Sequence, residues 1–241
     1  MTPECIALAN RLSEHFTVIL PLFFGEPNES LSMLSRVFSL QPDFCIYTPG
    51  CVSPIVGWLR DFCRHIQSSS QTQRIGVVGN CLTGSLVLSL IADPGIAAPV
   101  MSQPALPIPI PGTKKQKSDL GLNSYDLERA KRRVEEENIQ ILGFRFSNDW
   151  ISPKDRFSAL KAAFPRHFEP YEIQSPNSKY GIASGAHAVL TAEYRSSPDE
   201  HPTRLAYERL IAFLAWRLCG PDRLCGKSVE SSNISPSLYG D

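Results

Sequence analysis

The chain has 241 residues, and its 24 lysines and arginines balance its 24 aspartates and glutamates. A formal net charge of zero leaves no general electrostatic footprint for nucleic acid or an anionic membrane, so binding of polyanions is excluded as a main role. With 42 % of residues hydrophobic, the chain can bury the core of a single α/β domain, a fold class that runs to about 200–250 residues as one unit.

Thr2, Pro3 and Glu4 read as the N-cap and first turn of a helix, whose apolar face is Ile6, Leu8, Ala9, Leu12 and Phe16. Residues 17–23 (Thr17-Val18-Ile19-Leu20-Pro21-Leu22-Phe23) read as a first strand, ending in a turn at Gly25-Glu26-Pro27. A short helix or irregular excursion is expected over 30–40, a helix over 52–67 carrying Trp58, Leu59, Phe62 and Ile66, and a polar loop over 68–73.

Ile75, Val77 and Val78 then form a short apolar run suited to a strand covered on both faces. Helical spacing resumes with Leu86, Val87, Leu88, Leu90 and Ile91, and the break between the two patterns falls at Cys81. A further strand near 97–102 leads into Pro104, Pro107, Pro109 and Pro111, which predict a stiff extended loop continued by Lys114, Lys115 and Lys117. Ser124 is placed to cap a helix over 125–137, and Ile139–Phe146 reads as a buried strand. Ser152 and Pro153 start another helix through Phe157, Leu160 and Phe164, and residues 168–174 alternate as a strand. Pro202 opens a last amphipathic helix with Leu205, Leu210, Ile211, Leu214 and Leu218 facing inward. One domain is expected over 1–220, with 221–241, rich in Ser, Pro and Gly, as a flexible tail.

No run of uncharged apolar residues is long enough to span a bilayer, and the amino terminus, with Glu4 and Asn10, lacks the regions of a signal peptide; a cytoplasmic protein is expected. The seven cysteines are scattered and odd in number, which favours reduced thiols over a disulfide framework. Cys45 and Cys51 share a spacing with Cys219 and Cys225, but neither pair has the short interval of a zinc knuckle, so no metal is expected.

Strands alternating with helices indicate a mostly parallel sheet, and sites in such sheets lie at strand carboxyl ends. Three chemistry-bearing residues fall there. Gly79-Asn80-Cys81-Leu82 places a thiol on a tight strand-to-helix turn, the mechanics of a nucleophile elbow. Asp149 follows the strand ending at Phe146, and His187 lies in the loop after the next strand, giving the order nucleophile, acid, base. Asp155, within the next helix, is read as a solvated charge, His201 as a helix cap, and His65 and His167 as surface residues. Gln103 is read as a turn amide, Arg60 and Arg64 as a helix coat, and Asn148 as a loop-bracing side chain. A phosphatase reading fails because Val87 stands where an arginine six residues after the cysteine is needed to grip phosphate.

With the elbow Gly79-Asn80-Cys81-Leu82, the acid loop Asp149-Trp150-Ile151-Ser152-Pro153 and a lone histidine between small residues ahead of the terminal helix, the chain resembles the dienelactone hydrolase family of α/β-hydrolases from about residue 3 to about residue 218. The resemblance implies an α/β-hydrolase-like three-layer sandwich and a Cys81, Asp149, His187 triad, with the backbone N–H of Leu82 receiving the oxyanion. It implies hydrolysis of a small-molecule ester or lactone without a cofactor. Two departures stand out. Thr83 replaces the glycine usual two residues after the nucleophile, and Ala188-Val189-Leu190-Thr191 follows the histidine where founding members place a carboxylate-binding arginine. The family also places three strands before the helix at residues 3–15. The chain as given has none of them, so the second oxyanion donor is expected to be missing and the sheet altered between Val18 and the elbow strand. A capped helix at the first residues favours omitted upstream sequence over a shortened, catalytically impaired member acting as a binding protein.

Overall fold

The computed structural model describes residues 2–23, 50–51, 53–70, 73–109 and 114–220. Within them the chain forms α1 (Pro3–Ser13), α2 (Ile55–Ser70), β1 (Ile75–Asn80), α3 (Leu82–Leu90), β2 (Ile96–Ser102), α4 (Lys114–Ser118), α5 (Ser124–Glu136), β3 (Ile141–Phe146), α6 (Lys154–Ala163), β4 (Phe168–Ile173) and α7 (Pro202–Cys219). The four strands make one sheet in the order β1-β2-β3-β4, and every pair is parallel. The α/β class read from the sequence is therefore present.

Because successive side chains on a strand point to opposite faces, each inner strand feeds two cores. Val100, Phe144 and Phe146 pack with Leu8 and Leu12 of α1 and Leu210 and Phe213 of α7. On the other face Met101 and Ile141 pack with Val87 and Leu88 of α3, Val134 of α5 and Leu160 of α6. The inner strands β2 and β3 are buried along their whole length, whereas β1, at the sheet edge, is mostly half-buried.

Several expectations are corrected. Residues 17–23 form no strand. They and β1 line one cavity instead of pairing. With no neighbouring strand among the described residues to supply ladder partners and with Pro21 lacking an N–H, the apolar pattern alone does not make a strand. Lys114–Ser118 is a short helix rather than extended loop. The cap of α5 is Asn123, whose side chain accepts from the Asp126 N–H at 2.8 Å, leaving Ser124 as the first helical residue. Leu205 of α7 is exposed rather than inward. Cys51 and Cys219 each take part in a disulfide, against the expectation of seven reduced thiols. Cys5, Cys63 and Cys81 are free. The turn at 25–27, the excursion at 30–40 and the tail at 221–241 lie outside the described residues. No described helix is long and apolar enough to cross a membrane.

The loop after β2 is held by Arg156 of α6. Its guanidinium is almost fully buried and donates to the carbonyls of Pro104 (2.8 Å), Pro107 (2.6 Å), Gln116 (3.0 Å), Asp119 (2.9 Å) and Ile151 (3.3 Å). Burial lowers its pKa to about 10, which still leaves it charged at neutral pH, with Asp119 and Asp149 favouring the charge. The prolines of this loop cannot close their own turns by backbone donation, so the arginine supplies the donors. Arg156→Met keeps the volume but orphans these carbonyls. It is expected to cost at least about 3 kcal/mol in urea unfolding, given about 1–3 kcal/mol per stranded buried group.

Candidate active site

Cys81 stands between β1 and α3 with φ 56 and ψ −116, a conformation that L-residues adopt only under constraint. The constraint is visible on both sides of the residue. Its N–H donates to Ser102 O at 3.0 Å, and its carbonyl accepts from Gly84 N–H at 3.0 Å and Ala105 N–H at 3.1 Å. The flanking glycines are needed for close approach. A Cβ at Gly79 would lie 2.7 Å from Val87 Cγ2, and one at Gly84 would lie 2.8 Å from Ser102 O. Thr83 does not disturb this turn. Its hydroxyl accepts from Asn80 N–H at 3.0 Å and donates to Asn80 O at 2.9 Å, so the side chain closes the elbow. The sulfur thus sits at the N-terminus of α3, where first-turn N–H groups lack intrahelical acceptors and favour negative charge.

Asp149 follows β3 and is 4 % exposed. Its Oδ1 accepts from the N–H groups of Ile151 (3.0 Å) and Ser152 (3.2 Å), while Oδ2 faces His187 Nδ1 at 2.6 Å. One carboxylate oxygen is spent on fixing the acid loop and the other on the imidazole. Asn148 braces the same pair of loops, its Nδ2 donating to Ser184 Oγ at 2.6 Å and to Ser184 O at 3.1 Å. Beyond the histidine, Arg11 of α1 donates to Leu190 O at 3.0 Å.

With Nδ1 committed to Asp149, the chemistry of His187 is left to Nε2. That nitrogen is buried and has no hydrogen-bond partner, with Cys81 near enough to influence the ring's charge. Burial, the largest single influence, lowers the His187 pKa, but the hydrogen bond to Asp149 and the nearness of the Asp149 carboxylate and Cys81 outweigh it and push the value up to about 10. A loose nucleophile-to-base contact is ordinary in an unliganded site. The three residues singled out in the sequence are therefore brought together.

The rejected candidates sort as follows. His201 caps α7, its Nδ1 accepting from Thr203 N–H at 3.3 Å. His65 is exposed. His167, expected on the surface, is buried against Gln140 and Glu135. Asp155 is exposed in the first turn of α6. Arg60 and Arg64 pair with Asp93. Among the described residues no group of His, Cys, Asp and Glu is arranged to hold a metal.

Cys81 and Leu82 open onto a cavity of about 1400 Å³. At the nucleophile end Gln103, Trp150, Ile151 and Ala188 line it, and it continues along β1 to Leu12, Phe16, Val18, Leu59 and Phe62. Sequence reasoning missed the carbonyl clamp of Arg156, since an arginine on a helix reads as surface charge. It also underrated Gln103, which nothing in its local sequence distinguishes from an ordinary turn residue. Scans against family models, curated proteins and solved structures each return no match.

The raised His187 pKa has a definite sign in stability. A proton held by the folded chain but released by the unfolded one stabilises the fold fully below the ordinary imidazole value of 6.5, and that contribution is lost as pH rises through about 10. The melting-temperature advantage of the unmodified chain over His187→Gln should therefore shrink steadily from pH 7 to pH 10. An advantage that stays constant over that window would mean that His187 is neutral throughout it.

Proposed function

We propose that this chain is a cysteine-dependent hydrolase of a small-molecule ester or lactone, built as an α/β-hydrolase-like three-layer sandwich and similar to the dienelactone hydrolases. The observation that carries the reading is the 2.6 Å contact from Asp149 to His187 Nδ1, with the opposite ring nitrogen left toward Cys81 on a strained elbow. Packing alone has no use for that combination.

In the reaction the Cys81 thiolate attacks the substrate carbonyl carbon, and the carbonyl π electrons move to oxygen, where the Leu82 N–H receives the charge. The tetrahedral intermediate collapses, breaking the bond to the leaving oxygen, which takes the proton from His187 Nε2. Water then attacks the thioester as His187 recovers a proton from it, and a second collapse expels Cys81 and releases the acid. Asp149 holds the ring and its charge through both halves. The cycle needs only these side chains and water.

The apolar lining of the cavity supports a substrate with an apolar body. Ala188 and Val189 after the histidine offer no cation, which argues against a substrate recognised by its own carboxylate. The same cavity favours a second reading. Its extension along β1, which has a strand partner on one side only among the described residues, suits an α/β-hydrolase-like binding or interaction protein with impaired catalysis. A cytoplasmic location belongs to both proposals.

Limiting iodoacetamide followed by peptide mapping should label Cys81 ahead of Cys5 and Cys63. Burial and Asp93 raise the pKa of Cys63 and hold its thiol protonated. Turnover of p-nitrophenyl acetate and a small lactone should fall to background in Cys81→Ala and by about 10²–10⁴ in His187→Ala. Rapid labelling without turnover would favour the binding protein, and turnover retained in Cys81→Ala would sink the hydrolase.

A further inference from the structure

The strand register sets a second side chain beside the nucleophile. Asn80 at the end of β1 pairs with Ser102 at the end of β2, so Cys81 and Gln103 are each the first residue past neighbouring strand ends. Backbone bonds from Cys81 N–H to Ser102 O and from Ala105 N–H to Cys81 O bracket Gln103 and fix this stretch alongside the elbow. Gln103 is itself held at φ 36, a left-handed conformation costly for a non-glycine residue, with its N–H donating to Phe144 O at 2.7 Å. Two neighbouring residues in strained backbone at one sheet edge mark a place where orientation matters more than local comfort.

The side chain of Gln103 is 1 % exposed and belongs to the lining of the cavity that Cys81 and Leu82 share. Its amide orientation is settled by its partners. The Val189 N–H, which can only donate, meets Oε1 at 3.4 Å, and the Ser102 hydroxyl donates to the same oxygen. Oε1 is thereby committed to the protein side, and Nε2 is the end of the amide left for the cavity that Cys81 and Leu82 share.

Resting on the hydrolase reading above, we propose that the Gln103 side-chain amide is the second oxyanion donor, its Nε2 joining the Leu82 N–H at the oxygen that becomes charged when Cys81 attacks. Asparagine and glutamine side chains serve in such holes, and one donor is typically worth about 10²–10³ in kcat. The assignment gives the hole a second donor beside the Leu82 N–H, supplied by a side chain at the end of β2. It also explains why Oε1 is turned toward Val189, because that contact aims the opposite end of the amide at the nucleophile.

The rival role is structural, with Gln103 serving only as the acceptor that steadies Val189 and, through it, His187. Gln103→Ala and Gln103→Glu in the full chain separate the two, since glutamate keeps an acceptor for Val189 but has no donor for an oxyanion. Three quantities are measured: kcat and KM on p-nitrophenyl acetate, the rate of Cys81 alkylation by iodoacetamide, which develops no oxyanion, and the melting temperature. The expected result is a loss of about 10²–10³ in kcat for both variants with KM within a few-fold, and alkylation of Cys81 in Gln103→Glu near the unmodified rate. Wild-type kcat in Gln103→Glu would overturn the assignment. So would a parallel fall in alkylation, which would place the loss at the thiol instead of the oxyanion. No turnover by the unmodified chain, despite rapid alkylation, would overturn the hydrolase reading and this one with it, and it would be evident before any variant is compared.

Discussion

Everything at the site depends on the backbone of Cys81 being held where it does not want to be. A φ of 56 with ψ near −116 is unfavourable for a cysteine, and such strain costs on the order of 1–3 kcal/mol. It persists because the residue is bonded through both its N–H and its carbonyl to the segment leaving β2 and to the first turn of α3. The consequence is geometric. A relaxed residue would carry the chain smoothly from strand to helix and bury its side chain, whereas this one turns the chain sharply and leaves the sulfur at the helix N-terminus, open to the cavity.

The remaining members of the constellation reach the sulfur by a division of labour among loops. Asp149 spends one oxygen on its own loop and one on the imidazole, and Asn148 ties that loop to the segment before His187. Arg11 and Gln103 hold the segment after it. The histidine is therefore fixed from both chain directions. Most of these braces are hydrogen bonds to backbone groups, so they constrain where the loop runs while leaving the imidazole to be tuned by Asp149 and Cys81.

How much of this was legible follows from the range of each interaction. The elbow was readable because the change from strand to helix period and the glycine spacing are local, and Asp149 and His187 because parallel α/β topology brings strand carboxyl ends to one edge. Residues 17–23 misled because an apolar, β-branched run describes a strand only when a neighbour supplies its ladder, and no local pattern reports the neighbour. Asn123 rather than Ser124 caps α5 because adjacent cap-competent residues compete and only backbone geometry decides. The buried roles of Arg156 and Gln103 went unread, and His167 was misjudged, for a shared reason: their partners include backbone groups or side chains distant in sequence, so a polar residue bound for the interior looks the same as one bound for the surface.

The two functional readings diverge less in structure than in chemistry. The elbow is anchored on β2, and β2 on β3, the two strands buried along their whole length. The cavity spreads instead along the outer edge of β1, where the sheet has no further strand among the described residues. A ligand bound deep in that cavity would press on the edge of the sheet and leave the bonds that hold Cys81, Asp149 and His187 untouched. The triad can therefore be intact whether or not the chain turns over. Under the proposal made above, what separates a hydrolase from a binding protein is the number of donors facing the oxygen beside Cys81, and the strand register sets Gln103, at the end of β2, next to Cys81, at the end of β1.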